Sequence, residues 1–210
     1  MNNKFPKLIP IFPLSGVIYF PKTNLPLNIF EPRYLDLVND SYYNNKLMGM
    51  VQEKKNSNEV YRIGCLGKIS DLHETGDGRV IINLVGVTRF EIIKEIDNKK
   101  RYREFEVSYD SFDVDLVSQD ENLLEREKLK LFKDKAKIFF KKNGLLLNWK
   151  EFEKLDQSQQ INTLAMIAPV SNEEKQKLLE TKTITDKTKL MSEIIEFYLH
   201  TNKMDNKTLQ

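Results

Sequence analysis

Four side chains that could hold a metal ion or exchange protons lie close together in the sequence: Asp71, His73, Glu74 and Asp77. Carboxylates and imidazoles are common ligands of metal ions and common general acids and bases. The overlapping Gly-Asp-Gly at 76–78 is typical of a turn between two strands, and turns are often this polar because their residues face water. We therefore expect a solvated hairpin end here and no metal site.

Other catalytic signatures are incomplete. Cys65 is the single cysteine and lies in an apolar stretch, where no neighbour in sequence would activate its thiol, so we interpret it as a core residue. Gly67-Lys68 lacks both the upstream glycine and the following Ser or Thr of a phosphate-binding loop. Ser15-Gly16 lacks the upstream glycine of a nucleophile elbow. The sequence therefore favours a binding module over an enzyme, with no cofactor.

The charge is nearly balanced, because 33 basic and 31 acidic residues give 33 − 31 = +2 over 210 residues. This balance gives no strong attraction to nucleic acids or anionic membranes, so neither is an expected partner. A single cysteine cannot form an internal disulfide, which is typical of a reducing compartment. No run reaches the roughly 18 apolar residues of a membrane span. We expect a cytoplasmic protein that is a monomer or a weak dimer.

The first half of the chain has the pattern of strands with one helix among them. Short apolar or alternating stretches predict strands over 7–14, 24–30, 48–51, 60–72, 80–85, 89–96 and 104–112. Pro32, followed by apolar residues at helical spacing, predicts a helix over 32–44. Around six strands joined by short turns favour a closed or nearly closed small barrel.

The second half is predicted to be helical, over 119–142, 155–168, 172–180 and 185–201. One apolar stripe on the first of these helices is predicted to face a bundle core, and it comprises Leu124, Leu131, Phe132, Ala136, Ile138 and Phe139. The lysines of this helix are interpreted as a solvated face, with a weak nucleic-acid contact as the alternative. The predicted fold class is α+β, with a barrel subdomain over 7–115 and a helical bundle over 119–203.

Two segments carry a family resemblance. Residues 25–34 read Leu-Pro-Leu-Asn-Ile-Phe-Glu-Pro-Arg-Tyr, and residues 86–90 read Gly-Val-Thr-Arg-Phe. Together they resemble the amino-terminal, substrate-binding domain of the ATP-dependent protease La, or Lon, and most of all the stand-alone bacterial proteins that consist of this domain. The resemblance implies a PUA-like barrel with one inserted helix, followed by a C-terminal helical bundle. Since the phosphate loop is missing and no Ser-Lys peptidase module is expected, we predict no enzymatic activity.

The resemblance also implies a set of peptide-binding residues: Phe20, Phe30, Glu31, Arg33, Tyr34, Arg89 and Phe90. Glu31 is expected to cap the helix that begins at Pro32, where a carboxylate accepts backbone N–H groups. We expect Arg89 to pair with Glu31 and lock the barrel. The alternative is that Arg89 or Arg33 contacts a carboxylate or carbonyl of a bound peptide.

The leading functional hypothesis is a non-catalytic module that recognises unfolded or hydrophobic polypeptide segments, as an adaptor or chaperone-like factor. An apolar groove would hold side chains, and an exposed strand edge would bond to an extended backbone. Two alternatives remain: an RNA-binding PUA-like module, and an accessory subunit of an ATP-dependent protease.

Overall fold

The structure, a computed structural model, describes residues 5–116 and 124–205. The chain divides into two compact units, residues 1–117 and residues 118–210. Among the described residues, no helix combines the length and the apolar character needed to span a membrane.

The first unit contains six strands and one α-helix in its described part. In chain order these are β1 (Leu8–Leu14), β2 (Asn24–Ile29), α1 (Pro32–Asn44), β3 (Leu47–Gln52), β4 (Ile63–Glu74), β5 (Val80–Ile96) and β6 (Arg103–Ser108), followed by a 3-10 helix over Asp110–Asp115. α1 has the predicted bounds, because Pro32 fits the first helical turn and the apolar spacing is local. The strand predicted over 104–112 instead ends at Ser108, and the 3-10 helix takes up the rest.

β5 is a single long strand, whereas two separate strands were predicted over 80–85 and 89–96. Gly86 lies between the two predicted segments and stays paired, opposite Gly67 of β4. A side chain at position 86 would collide with the carbonyl oxygen of Phe20 and with the backbone of Pro21. The glycine therefore marks a close backbone approach rather than the end of a strand.

The strands form one mixed sheet in the order β2-β5-β4-β3-β1-β6, with a further pairing between β5 and β6. The β1–β3 pair is parallel and the other pairs are antiparallel. The pairings β5–β4–β3–β1–β6 thus return to β5 as a ring of ladders, while β2 pairs with β5 alone among the described strands. A buried cluster contributed by the strands of this ring comprises Ile9, Ile11, Val51, Leu66, Phe90, Ile92, Phe105 and Val107.

The second unit is helical in its described part. Its helices are α2 (Arg126–Lys142), α3 (Trp149–Phe152), α4 (Gln157–Ile167), α5 (Asn172–Glu180) and α6 (Ile184–Asp205). The capping box predicted at Ser171 is present, with the Ser171 hydroxyl accepting from the Glu174 N–H at 3.2 Å. α6 packs against α2, α4 and α5, and buried Lys187 of α6 donates to the Asn162 Oδ1 of α4 at 2.7 Å. The start predicted for the first helix, at 119, lies outside the described residues.

One predicted apolar stripe is split by the structure. Phe132, Ala136 and Phe139 of α2 are buried, as predicted. Leu131 and Ile138 are instead 62% and 53% exposed. Consecutive residues of a helix lie about 100° apart around its axis, and the buried residues at 132, 136, 139 and 140 fall within about 100° of one another, whereas residues 131 and 138 lie outside that side of the helix. The prediction that all six residues face the core was therefore wrong for these two.

Candidate functional site

A groove of about 330 Å³ lies beside the segment that carries the family resemblance. We name it the Phe30 groove, and its lining consists of Phe12, Pro13, Leu14, Ser15, Leu27, Asn28, Ile29, Phe30, Glu31, Arg33, Tyr34 and Glu53. β1, β2 and the first turn of α1 supply most of this lining. Four of the predicted peptide-binding residues, those at 30, 31, 33 and 34, are thus brought together.

Aromatic rings dominate one part of the Phe30 groove. Phe12 and Tyr34 are stacked, with ring centroids 4.0 Å apart and an interplanar angle of 24°. Both side chains are largely buried, and burial raises the pKa of the Tyr34 hydroxyl. The Arg33 guanidinium lies over the Tyr34 ring at 4.4 Å, which adds a cation–π contact. The stack gives the groove a preformed aromatic wall.

Phe30 is the exposed aromatic of the groove. β2 ends at the buried Ile29, and Pro32 begins α1, so Phe30 sits at the bend between them with 64% of its surface exposed. A phenylalanine left this exposed has a large apolar area still available for burial by a ligand. Among the described side chains of the groove, Phe30 therefore has the largest exposed apolar area for a ligand to bury.

The charged residues of the groove are satisfied by local partners. Arg33 and Glu31 form an ion pair at 3.0 Å, with both side chains about half exposed. The Ser15 hydroxyl donates to the Glu53 carboxylate at 2.7 Å. Glu31 occupies the N-cap of α1, and its carbonyl accepts from the N–H groups of Tyr34 and Leu35, each at 2.9 Å. Its side chain makes no capping bond, so the predicted role of its carboxylate was wrong, because Arg33 holds that carboxylate.

β2 offers a strand edge next to the groove. One edge pairs with β5, from Asn24 opposite Val85 to Ile29 opposite Val80. Within residues 5–116 and 124–205, no other strand pairs with β2. An edge strand presents N–H and C=O groups that can accept another extended chain. Pro26 lacks an N–H, so this edge has one donor fewer than an unbroken strand.

The other three predicted residues are not in the lining of the groove. Phe20 and Phe90 are fully buried, and Phe90 belongs to the core cluster of the ring. Arg89 is only 2% exposed. These three residues lie in the interior of the first unit, where a ligand in the Phe30 groove would not touch them.

Arg89 pairs with Asp115 rather than with Glu31, so the predicted ion pair was wrong. Its Nε donates to Asp115 Oδ2 at 2.9 Å, and its Nη2 donates to Oδ1 at 2.8 Å. The backbone N–H of Arg89 adds a third bond to the same carboxylate, at 2.9 Å, and the guanidinium lies 4.3 Å from the centre of the Phe112 ring. Sequence reasoning missed Asp115 because it follows 26 positions later in a 3-10 helix that has no repeating pattern.

The polar hairpin end between β4 and β5 is exposed. The Arg79 guanidinium and the Thr75 hydroxyl both donate to Asp77, and these donors hold the pKa of its carboxyl well below the usual range. No cluster of three or more His, Cys, Asp or Glu side chains suited to a metal ion occurs in the described parts of the chain. Cys65 is buried, with its Sγ 3.6 Å from the Leu66 carbonyl oxygen.

Comparison with known proteins gives a consistent result. The family model of the ATP-dependent protease La (LON) substrate-binding domain matches residues 8–196. The Lon protease of Flavobacterium johnsoniae is 29% identical over 97 residues, which cover 43% of this chain and 12% of that protease. The Lon protease of Cytophaga hutchinsonii is 28% identical over 104 residues, covering 47% and 13%. The matches thus span about an eighth of the length of these relatives.

Two solved structures share the fold. A Lon N-terminal domain protein from Xanthomonas campestris superposes with a TM-score of 0.63 at 21% identity, covering 90% of this chain and 97% of that one. The N-terminal domain of the Mycobacterium avium complex Lon protease gives a TM-score of 0.64 at 15% identity, covering 90% and 98%. Their likeness extends over both the sheet and the helices of this chain, which together make an α+β fold.

Proposed function

Because the chain belongs to the family of ATP-dependent protease La (LON) substrate-binding domains, we propose that its Phe30 groove binds unfolded or hydrophobic polypeptide segments without transforming them. The observation that carries this proposal is Phe30 itself. It is 64% exposed at the mouth of a groove of about 330 Å³, beside the stacked rings of Phe12 and Tyr34. Apolar side chains of a ligand would be buried against these three rings.

The β2 edge explains why the ligand would be an extended segment. A chain laid along β2 would form main-chain hydrogen bonds with it, and alternate side chains would point toward the groove. Such strand addition depends mainly on backbone N–H and C=O groups, which every unfolded polypeptide has, and it depends on few side chains of the ligand. The proposal therefore includes promiscuous binding of modest affinity.

The groove contains two carboxylates and one guanidinium, and each already has a partner. Arg33 is held by Glu31, and Glu53 accepts from Ser15. The charges of these groups sum to 1 − 2 = −1, so the groove offers little attraction to a strongly charged ligand, whereas an apolar segment would bury the exposed surface of Phe30. We therefore propose that apolar segments are preferred over charged ones.

An anisotropy titration with a fluorescently labelled, permanently unfolded polypeptide tests this function. Phe30→Ala is expected to weaken binding about tenfold, because roughly 1.4 kcal/mol of apolar burial corresponds to a tenfold change. Phe197→Ala is the matched control, since Phe197 of α6 is equally exposed, at 65%, and lies in the other unit. Loss of binding in both variants, or in neither, would contradict the proposal.

We propose that the ring of ladders in the first unit is the PUA-like barrel implied by the family resemblance. Barrels of that kind hold RNA in other families, but residues 1–117 contain 16 basic and 16 acidic side chains, which gives no net attraction to phosphates. RNA binding is therefore the weaker candidate.

We also propose that the protein is a cytoplasmic adaptor that delivers bound polypeptide to an ATP-dependent protease. Its curated relatives are such proteases, which contain much more than the part matched here. The test is degradation of an unfolded protein by a purified Lon protease with and without this chain. Faster degradation that Phe30→Ala abolishes is the expected result. Cleavage by this chain alone would contradict the non-catalytic part of the proposal.

A further inference from the structure

The positive charge of the second unit is concentrated on α2. This helix carries eight Lys and Arg residues and two acidic ones, a balance of 8 − 2 = +6, while the whole chain carries +2. Among the described residues, three of these cations have acidic neighbours: Lys128 pairs with Glu125 at 3.3 Å, Lys135 pairs with Glu196, and Lys137 pairs with Glu153 at 3.5 Å. The positive charge that these ion pairs leave unneutralised makes α2 a cationic surface that can bind further carboxylates.

Two rows of side chains run along the exposed part of α2. The aliphatic row contains Leu131 and Ile138, which are 62% and 53% exposed and seven residues apart. The cationic row contains Lys128, Lys135 and Lys142, with the same spacing. Residues three or four apart are neighbours on a helix surface, so the two rows lie side by side. Seven residues advance roughly 10.5 Å along the axis, which is about two turns.

A groove of about 250 Å³ opens between α2 and α6 at the start of these rows. Its apolar lining comes from Leu124, Leu131 and Phe132, and its cationic lining comes from Lys128, Lys135 and Lys189. The α6 wall also presents Thr188 and Ser192, whose hydroxyls donate to backbone carbonyls of α6 at 2.8 Å. We name this feature the α2–α6 groove. It combines apolar contacts with positive charge and lies entirely within the second unit.

We infer that the α2–α6 groove docks an acidic amphipathic helix of a protein partner. A ligand that satisfies both rows must present apolar and anionic groups side by side, repeated about every 10.5 Å, and a helix with heptad-spaced Leu and Glu does this. Lys189 has no ion pair with any described residue, so a carboxylate of the partner would give it one. A nucleic acid would offer phosphates but no matching apolar row. A second copy of the chain that presented its own α2 would bring the same positive charge and be repelled.

This inference goes beyond the proposed function, because it concerns another unit, another ligand chemistry and another ligand conformation. The test uses the full chain and a labelled three-heptad peptide in which Leu and Glu form adjacent rows on one face. The control peptide has the same composition in scrambled order. Saturable binding of the first peptide, tighter than that of the scrambled peptide and weakened by salt, is expected.

Two double variants with the same charge change locate the binding surface. Lys128→Glu with Lys189→Glu alters the groove and is expected to weaken binding at least about tenfold. Lys130→Glu with Lys141→Glu alters a different face of α2 and is expected to change the affinity less than about threefold. All four side chains are exposed, so melting temperatures should stay close to that of the unaltered chain.

Three results would overturn the inference. The first is no saturation by the amphipathic peptide, and the second is an equal loss in the two double variants. The third is tighter binding of duplex RNA, or of phosphatidylserine vesicles, than of the peptide, which would make this face a polyanion or lipid surface. Phe30→Ala should leave peptide binding here unchanged, so failure of this inference is distinguishable from failure of the proposed function.

Discussion

Arg33 and Arg89 both belong to segments that carry the family resemblance, yet they lie in opposite environments. Arg33 is exposed at the Phe30 groove, pairs with its near neighbour Glu31 and lies over Tyr34. Arg89 is buried, makes three hydrogen bonds to Asp115 and lies over Phe112. The same residue type thus lines the proposed binding groove in one place and stabilises the interior in the other. The residues of a family motif are therefore not all candidates for ligand contact. Exposed residues such as Arg33 can reach a ligand, whereas buried residues such as Arg89 hold the fold together.

The largest difference between the two arginines is expected in stability. Arg89→Met would leave the Asp115 carboxylate nearly buried without its cation, which typically costs about 3–5 kcal/mol of unfolding free energy. Arg33→Met, at an exposed pair, is expected to change the unfolding free energy by less than about 0.5 kcal/mol. Urea denaturation of both variants measures this. Similar losses in the two variants would remove the distinction between a folding arginine and a groove arginine.

Replacement of Gly86 is expected to give the next largest loss of stability. It tests the buried part of the segment 86–90, which also contains Arg89. A methyl group at position 86 would meet the carbonyl oxygen of Phe20 and the backbone of Pro21, which cannot turn aside as a side chain can. Gly86→Ala is therefore expected to cost about 1–3 kcal/mol. Gly76→Ala is the control, since a Cβ there has no neighbour within 4 Å. If both variants unfold at the same urea concentration, the backbone of Phe20 and Pro21 does not exclude a side chain at position 86.

The smallest expected effect concerns ligand affinity at Arg33. Its side chain covers the Tyr34 ring at 4.4 Å without deep burial, so Arg33→Met keeps an apolar stem beside the groove. We expect the affinity for an unfolded, apolar polypeptide to change by less than about threefold. For a segment rich in Asp and Glu, affinity should fall further, because the guanidinium is the one cation among the described residues of the groove lining. Equal changes for both ligands would show that Arg33 plays no part in selection.

Features of the fold that depend only on residues close together in the sequence could be predicted from local signals. The bounds of α1 follow from Pro32 and helical spacing, and the capping box of α5 follows from Ser171 and Glu174. Four of the predicted peptide-binding residues lie together in the lining of the Phe30 groove, because they form one short run from β2 into α1, and their binding role stays a prediction. These features require only that residues close in sequence adopt a regular backbone.

Features that depend on distant contacts could not be read in the same way. Gly86 looked like a break in a strand, and only the approach of Phe20 and Pro21 explains it. Asp115 could not be matched to Arg89, because the last seven residues of β5 and all of β6 separate them in the chain. The exposure of Leu131 was missed because an apolar residue near a helix stripe is normally assigned to the core. The environment of Gly86 and of Arg89 is set by residues far away in the sequence, and the exposure of Leu131 depends on which parts of the chain pack against α2.

The central claim is that extended polypeptide binds along β2 at the Phe30 groove, and amide chemical-shift mapping tests it most directly. The isotope-labelled full chain is titrated with the same permanently unfolded polypeptide. We predict the largest shifts at the amides of 27–31 and 33–34, with slower hydrogen exchange along β2 in the complex. Shifts confined to α2 and α6, or no shifts at a concentration where anisotropy reports binding, would contradict the account.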